Sequence, residues 1–528
     1  MKKTLSIFLL CLTAVTVMSK PAYRGAITRT MADGTEKTVY LHGNEFFHYM
    51  TDIEGQWLHA ESLEPMSEME RNAYLDAGIA AQKIRRARTE ENAIGGKPNI
   101  APRGLLILVN FQDVRFKTPV DTIKNMLDGE HFTRSYNVKQ GLKTVRITSS
   151  GSARQYFQDQ SYGQYNPIFD IVGPVTISKE MAYYGENDKN GDDLHPDEMV
   201  QEACSLANSQ CDVDFSIYDN DNDGEVDFVY IIYAGFGEAD GGEANTVWPH
   251  KYQLSYTGKS IRLDGKTVNE YACGSELNFG SKQYDGVGTF CHEFSHVLGL
   301  PDFYTTNGAS HHTLCDWDLM DAGSYNNDGN TPPAYSSYER FIMGWLTPRV
   351  LKDPQSVWLD PINFMNGDAV LLCEGDSHNL VGWNPNPKTF YLLEAHTKDG
   401  WDKHLPGDGM LITKIQYNKN KWAGNTVNNV ASSMGVDILE AKKNTSDFGK
   451  ATDAYPTGAT EWTDFENHEV TLIAFENGGA ITFSYRNAPK GIDDVTEGKT
   501  ALKVLQEGRV VIIRNGVSYN LNGRVLDR

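Results

Sequence analysis

Apolar residues along the chain change their spacing several times, and each change marks a boundary. Lys2 and Lys3 precede an apolar stretch from Leu5 to Val17, and Val17-Met18-Ser19 offers small or moderate residues for cleavage near Ser19, so residues 1–19 read as a signal peptide. From there to about Pro98 the polarity is mixed, and Ser67 with Glu70 three residues on predicts a capping box that starts a helix running to Lys83-Ile84-Arg85-Arg86-Ala87-Arg88. Gly104 to Phe111 is an apolar, β-rich run of the kind that becomes a buried central strand, and Val226 to Ala234 reads likewise. Between them Met199, Ala203 and Leu206 recur at helical spacing within Pro196 to Asn208. Strands alternating with helices predict an α/β domain over about 99–347. After the Gly344-Trp345-Leu346-Thr347-Pro348 turn, a β-rich part over 348–487 follows, clearest at Phe390–Ala395, Gly409–Tyr417 and Val470–Tyr485. In the tail, 488–528, Arg509–Arg514, Val517–Leu521 and Arg524–Leu526 predict three short strands joined by two Asn-Gly turns.

The run His292-Glu293-Phe294-Ser295-His296-Val297-Leu298-Gly299-Leu300-Pro301-Asp302 carries the chemistry. On a helix His292 and His296 lie one turn apart on one face, so both imidazoles can reach one Zn²⁺. Glu293 projects beside them as a general base that takes a proton from water and passes it to a leaving amine. Gly299 stands where a helix end favours positive φ, and Pro301 prevents the helix from resuming, so Asp302 falls where a third ligand is needed. Glu339 on a later helix is the competing third ligand, and His311 and His312 are weaker alternatives. Met320, in the turn-rich Trp317-Asp318-Leu319-Met320-Asp321-Ala322-Gly323, suits the Met-turn that underlies a metzincin zinc, and nearby Tyr325 is a candidate oxyanion donor.

A second candidate metal site lies in Asp219-Asn220-Asp221-Asn222-Asp223-Gly224-Glu225-Val226-Asp227. Oxygen side chains at positions one, three, five and nine, with Gly at six, suit a Ca²⁺ loop, and Asp219, Asp221, Asp223, Glu225 and Asp227 are its candidate ligands. The glutamate of a complete EF-hand is absent, since Tyr230 occupies position twelve. Six cysteines follow the leader, an even count that permits disulfides; a bridge between Cys291 and Cys315 and free buried thiols are both open readings.

With 528 residues, 40% of them hydrophobic, the chain can fill several globular domains. A net charge of −22 argues against nucleic acid and anionic membrane surfaces as partners. The leader predicts export, so the expected location is secreted or at the cell surface, and no segment after it approaches a membrane span.

The strings GTFCHEFSHVLGLPDFY, CDWDLMDAGSYNNDG, YAGFGEADGGEANTVWPHKY and GWDKHLPGDGMLI resemble the secreted bacterial immune inhibitor A-like metallopeptidases, zincins with an HExxHxxGxxD site. The likeness runs from about Arg103 to the Asp437–Ala441 stretch, and His42 to Tyr49 resembles the propeptide of such proteins. The resemblance implies a metzincin-like catalytic domain, His292, His296 and Asp302 as zinc ligands, Glu293 as base, and protein or peptide substrates. Residues 20–98 then read as a propeptide without cysteine, which excludes a thiolate switch, with processing expected between Arg85 and about Pro98. The tail resembles C-terminal sorting tails that engage secretion machinery. A non-catalytic zincin-fold binding protein and a zinc hydrolase of a non-peptide amide are the alternative functions.

Overall fold

The computed structural model describes residues 20–487, apart from 32–34, 45–46, 61, 76–102, 141–142, 189–192, 364–366 and 444–447, together with four short strands between 502 and 527. The leader, the basic end of the helix expected before Pro98 and the processing region lie outside the described residues.

The N-terminal part is an antiparallel sheet of β1 (Ala26–Thr30), β2 (Glu36–Asn44), β3 (Phe47–Thr51) and β4 (Trp57–Leu58), in that order. Alternation along it buries Ile27, Val39, Leu41, Met50 and Leu58, which pack on Ala239 and Trp248 of the following region. Ser67 and Glu70 form the expected capping box, each side chain meeting the other's backbone N–H, and α1 covers 68–75.

The next region is a mixed α/β layer structure, as the alternation of patterns predicts. Its sheet has the order β10 (His250–Gln253), β13 (Glu270–Leu277), β9 (Val229–Phe236), β5 (Arg103–Asn110), β8 (Ile168–Thr176), parallel except for β10 at one edge. β5 is apolar on every interior residue because both faces are covered. Leu106 and Leu108 face the core shared with α2 (Val120–Asp128), α3 (Ala153–Gln160) and α6 (Val287–Val297). Leu105, Ile107 and Val109 face the core shared with α4 (Met181–Gly185) and α5 (Pro196–Cys211). Two hairpins, β6 (Ser135–Gln140) with β7 (Lys143–Thr148) and β11 (Ile261–Leu263) with β12 (Lys266–Val268), decorate this region. β9 starts at Val229 rather than Val226, because the Val226 N–H bonds the Thr267 carbonyl and the Asp227 N–H the Tyr218 carbonyl in the loop before it.

After α7 (Ser337–Met343) the chain is β-rich, as expected. One sheet has the order β14 (Arg349–Val350), β16 (Ala369–Leu372), β17 (Thr389–His396), β18 (Gly409–Gln416), β19 (Val436–Ile438), and another β15 (Gln355–Leu359), β21 (Ile481–Tyr485), β20 (Val470–Phe475). The run Val470–Tyr485 is therefore two strands, broken where Gly478 and Gly479 take φ of 77° and 80°. Leu393 and Ile412 join Ile481 and Phe483 in the core between the sheets, whereas Leu392 and Leu411 on the opposite face join the core around α6. That second face brings the C-terminal part, with α8 (Lys419–Ala423), against the helix bearing the histidines. The tail holds four strands, not three: β22 (Leu502–Gln506) precedes β23 (Arg509–Arg514), β24 (Val517–Tyr519) and β25 (Val525–Asp527).

All six cysteines of the described residues are free thiols. No Cys291–Cys315 bridge exists: Cys291 is buried in the core around α6, and the Cys315 sulfur instead accepts from Arg24 Nη1 at 3.3 Å. Among the described residues no helix is long and apolar enough to cross a membrane.

Candidate metal centre

Every residue of α6 is buried, including His292, Glu293 and His296. Its first turn lies directly on the loop that carries Met320: a Cβ at Gly288 would stand 1.9 Å from the Ser324 carbonyl oxygen, so only glycine permits the approach. The helix ends as its sequence demands. Gly299 takes φ 103°, the Leu300 N–H bonds the Ser295 carbonyl at 3.0 Å, and the chain reverses to bring Asp302 back beneath the histidines.

His292 Nε2, His296 Nε2 and Asp302 Oδ1 form a nearly equilateral triangle, with edges of 3.1, 3.2 and 3.2 Å. Ligands about 2.0–2.1 Å from a tetrahedral zinc stand roughly 3.3 Å apart, so the triangle matches one face of such a site. The outer nitrogens are fixed by acceptors that cannot donate: His292 Nδ1 lies 2.8 Å from the Leu319 carbonyl and His296 Nδ1 2.7 Å from the Leu300 carbonyl. Each imidazole therefore carries hydrogen on Nδ1, and its Nε2 lone pair faces inward when the ring is neutral. A cation, proton or metal, must sit among three such atoms. Burial weighs against an ionised Asp302, but the facing His296 and His292 outweigh it and hold the carboxyl at about 2. Burial raises Glu293 to about 8, with His292 opposing and the Asp302 carboxylate adding to the rise.

Asp302 is held from the C-terminal part of the chain. Asn425 Nδ2 donates to Asp302 Oδ2 at 2.6 Å, and Asn425 Oδ1 accepts the Asp302 N–H at 2.8 Å. Asn428 Nδ2 reaches the Phe303 carbonyl and Asn429 Oδ1 the Thr306 N–H, so three asparagines after α8 grip the loop. These were not foreseen; their one signal is the cluster of three in Asn425-Thr426-Val427-Asn428-Asn429. Met320 is fully buried, and its carbonyl accepts the Phe303 N–H at 2.8 Å, bracing the loop next to Asp302.

A further residue had no signal. The backbone N–H of Lys20 donates to Glu293 Oε1 at 3.0 Å, and the Lys20 side chain is buried between Asp240 and Thr289. The strand-like segment continues across the site: the Pro21 carbonyl accepts from Tyr325 OH at 2.6 Å, and the Tyr23 N–H meets the Ala239 carbonyl.

The competing ligands lie elsewhere. Glu339 closes a capping box with Ser336 at the start of α7, His311 Nε2 bonds the Asn428 carbonyl, and His312 stacks on Phe448. In the second candidate site, Asp219, Asp221 and Asp223 converge within 4.8 Å, but Glu225 and Asp227 do not join them. Asp227 Oδ2 turns away to accept the Asn220 backbone and side-chain N–H groups, and the Glu225 backbone pairs with Thr267 in an isolated β-bridge. Lys266 Nζ stands 2.5 Å from Asp219 Oδ2.

Residues 100–344, which include the whole triangle and Glu293, match the immune inhibitor A peptidase M6 catalytic domain. This part of the chain is therefore similar to the immune inhibitor A peptidases. Pre-pro-metalloprotease PrtV of Vibrio cholerae serotype O1 (strain ATCC 39315 / El Tor Inaba N16961) is 28% identical over 267 residues, covering 45% of this chain and 29% of PrtV. Immune inhibitor A of Bacillus thuringiensis subsp. alesti is 26% identical over 262 residues, covering 44% of this chain and 38% of that protein. The match thus spans about a third of the length of these relatives. Asn425 lies beyond the matched immune inhibitor A domain, so the aspartate of the triangle is positioned partly from outside it.

Proposed function

We propose that the chain is a secreted, zinc-dependent endopeptidase with a metzincin-like catalytic domain, holding zinc through His292, His296 and Asp302 over a Met-turn at Met320. The observation that carries the reading is the triangle of inward atoms with 3.1–3.2 Å edges on the helix that bears Glu293. Zinc bound there supplies Lewis acidity that polarises a carbonyl and acidifies water. The protein supplies the rest. Leu319 and Leu300 orient the imidazoles, Asn425 orients Asp302, and Glu293 accepts a proton and returns it to the departing nitrogen. The contact from the Lys20 main-chain nitrogen to Glu293 Oε1 supports that last role, since it places at the base a nitrogen of the kind a cut releases. Hydrolysis of casein, abolished by a chelator and by Glu293→Gln, tests the proposal. A form freed of residues 20–98 that is folded and zinc-loaded yet inert on casein would refute it and favour a binding protein or a hydrolase of another amide.

The same reading makes 1–19 a signal peptide and 20–98 a propeptide that blocks the cleft. Lys20 to Tyr23 lying across Glu293 and Tyr325 supports blockage by simple occlusion, without a thiolate. It also withdraws Tyr325 from use as an oxyanion donor while the segment is in place. Expression from Asn99 onward should give a folded form more active than the full chain; equal activity would reject latency. For residues 488–528 we keep a sorting role, which unchanged extracellular delivery after deletion of Lys490 to Arg528 would reject. For Asp219, Asp221 and Asp223 calcium remains our candidate ligand, with Lys266 displaced from Asp219 on binding.

A further inference from the structure

The Lys20 side chain ends in a pocket whose walls all belong to the matched immune inhibitor A region. Its Nζ lies 2.7 Å from Asp240 Oδ1, 2.8 Å from Thr289 Oγ1 and 4.0 Å from Asp285 Oδ2, and 4.4 Å from the centre of the Tyr325 ring. Thr289 Oγ1 in turn donates to Asp285 Oδ2 at 2.6 Å, so the hydroxyl relays the ammonium to the second carboxylate. Lys20 is 1% exposed, Asp240 2% and Asp285 5%. The ammonium is thus matched on each side by a carboxylate, a hydroxyl acceptor or a π face.

The backbone of the same residue meets the catalytic base. A base that protonates a leaving amine must reach the nitrogen just after the scissile bond, and Lys20 N stands 3.0 Å from Glu293 Oε1. Thr289 lies one turn before Glu293 on α6, which sets the distance from base to pocket at about one residue's side chain. Lys20 therefore occupies the position of the first residue after the cut. When residues 20–98 leave, Asp240 and Asp285 stay behind as two buried carboxylates facing one cavity, and burying them without a cation is costly. The vacated pocket then favours a cationic side chain and repels an acidic one.

We propose that Asp240, Asp285, Thr289 and Tyr325 form a specificity pocket for lysine, and less well for the longer arginine, on the residue whose nitrogen becomes the leaving amine. The proposal rests on the peptidase reading of Glu293 for its position, but the pocket's choice of a cation can be measured without turnover. In the mature form, freed of residues 20–98 and with chelator present, lysinamide should raise the melting temperature by several degrees. Norleucinamide, the same stem without the ammonium, should not, and Asp240→Asn with Asp285→Asn should remove the difference. Where the double asparagine variant does not fold, Asp240→Asn alone serves. On matched peptides cleaved by the zinc-loaded mature form, lysine after the cut should exceed norleucine at least tenfold in kcat/KM, with arginine between. Equal shifts for the two amides, or cuts that ignore or avoid lysine, overturn the pocket. Selective lysinamide binding with no cleavage of any peptide would remove the peptidase reading and leave the cation pocket standing.

Discussion

Replacing Asn425 by alanine separates the proposed metal site from the fold around it. Asn425 makes two hydrogen bonds to Asp302, a 2.6 Å donation to the carboxylate and a 2.8 Å acceptance from the backbone N–H. The first, charge-assisted, is worth about 1.5–3 kcal/mol, and stranding the buried Asp302 N–H costs about 1–3 kcal/mol more, so a loss near 3 kcal/mol in stability is expected. Freed from its outer partner, Asp302 can rotate its Oδ1 out of the 3.2 Å triangle. Outer partners of this kind typically contribute 10–100-fold in metal affinity, or about 1.4–2.7 kcal/mol. Zinc affinity measured by competition with a chromophoric chelator near neutral pH should fall by that factor, alongside a lower melting temperature. Zinc affinity within twofold of the unmodified chain would refute the assignment of Asp302 as a ligand oriented by Asn425. Asp302→Ala provides the reference: unchanged affinity there would move the third ligand elsewhere.

Three further outcomes are expected. His396 is buried between Glu394 and Asp402, and although burial opposes its charge, the two carboxylates raise it from 6.5 to about 10. Its stabilising contribution, on the order of 3–5 kcal/mol, is therefore fully present below pH about 6.5 and is lost as pH rises toward 10, so the melting-temperature gap between the unmodified chain and His396→Gln should close across that window. A gap independent of pH would contradict a charged His396. Gly288→Ala drives a methyl group into the Ser324 carbonyl and should cost about 1–3 kcal/mol by chemical denaturation, in contrast to a smaller change at Gly280, whose added Cβ would meet only Asn278 Oδ1 at 3.3 Å. Calcium should raise the melting temperature of the full chain and not of Asp221→Asn; an equal rise in both would dismiss the Asp219–Asp223 loop as its site.

The legible parts of this protein are those whose causes are local. An apolar run covered on both faces announces β5, 3.6-residue spacing announces α5, and the glycine and proline after His296 announce the reversal that returns Asp302. Boundaries set by partners far along the chain were misplaced. β9 begins late because Thr267 captures Val226, and Val470–Tyr485 splits at glycines whose turn the apolar pattern runs across. The calcium spacing counted oxygen atoms but not competing donors, and Asn220 takes Asp227 out of the loop. Asn425, 123 residues from Asp302, and Lys20, 273 residues from Glu293, meet the site through packing of whole layers, which no spacing rule within one segment contains.

The two carbonyls behind the histidines set how the site can fail. Leu319 and Leu300 contribute main-chain oxygens, so no substitution at either position can delete the acceptor; only a change in backbone path can. The imidazoles are thereby insulated from point mutation and exposed to deformation. A remote lesion that tilts the Met320 turn by a fraction of an ångström disturbs the ring of His292 more than a new side chain at Leu319 would. Inactivating changes in this region should therefore cluster at glycines and turn residues, and metal loading becomes a sensitive gauge of whether the turn beneath α6 has folded correctly.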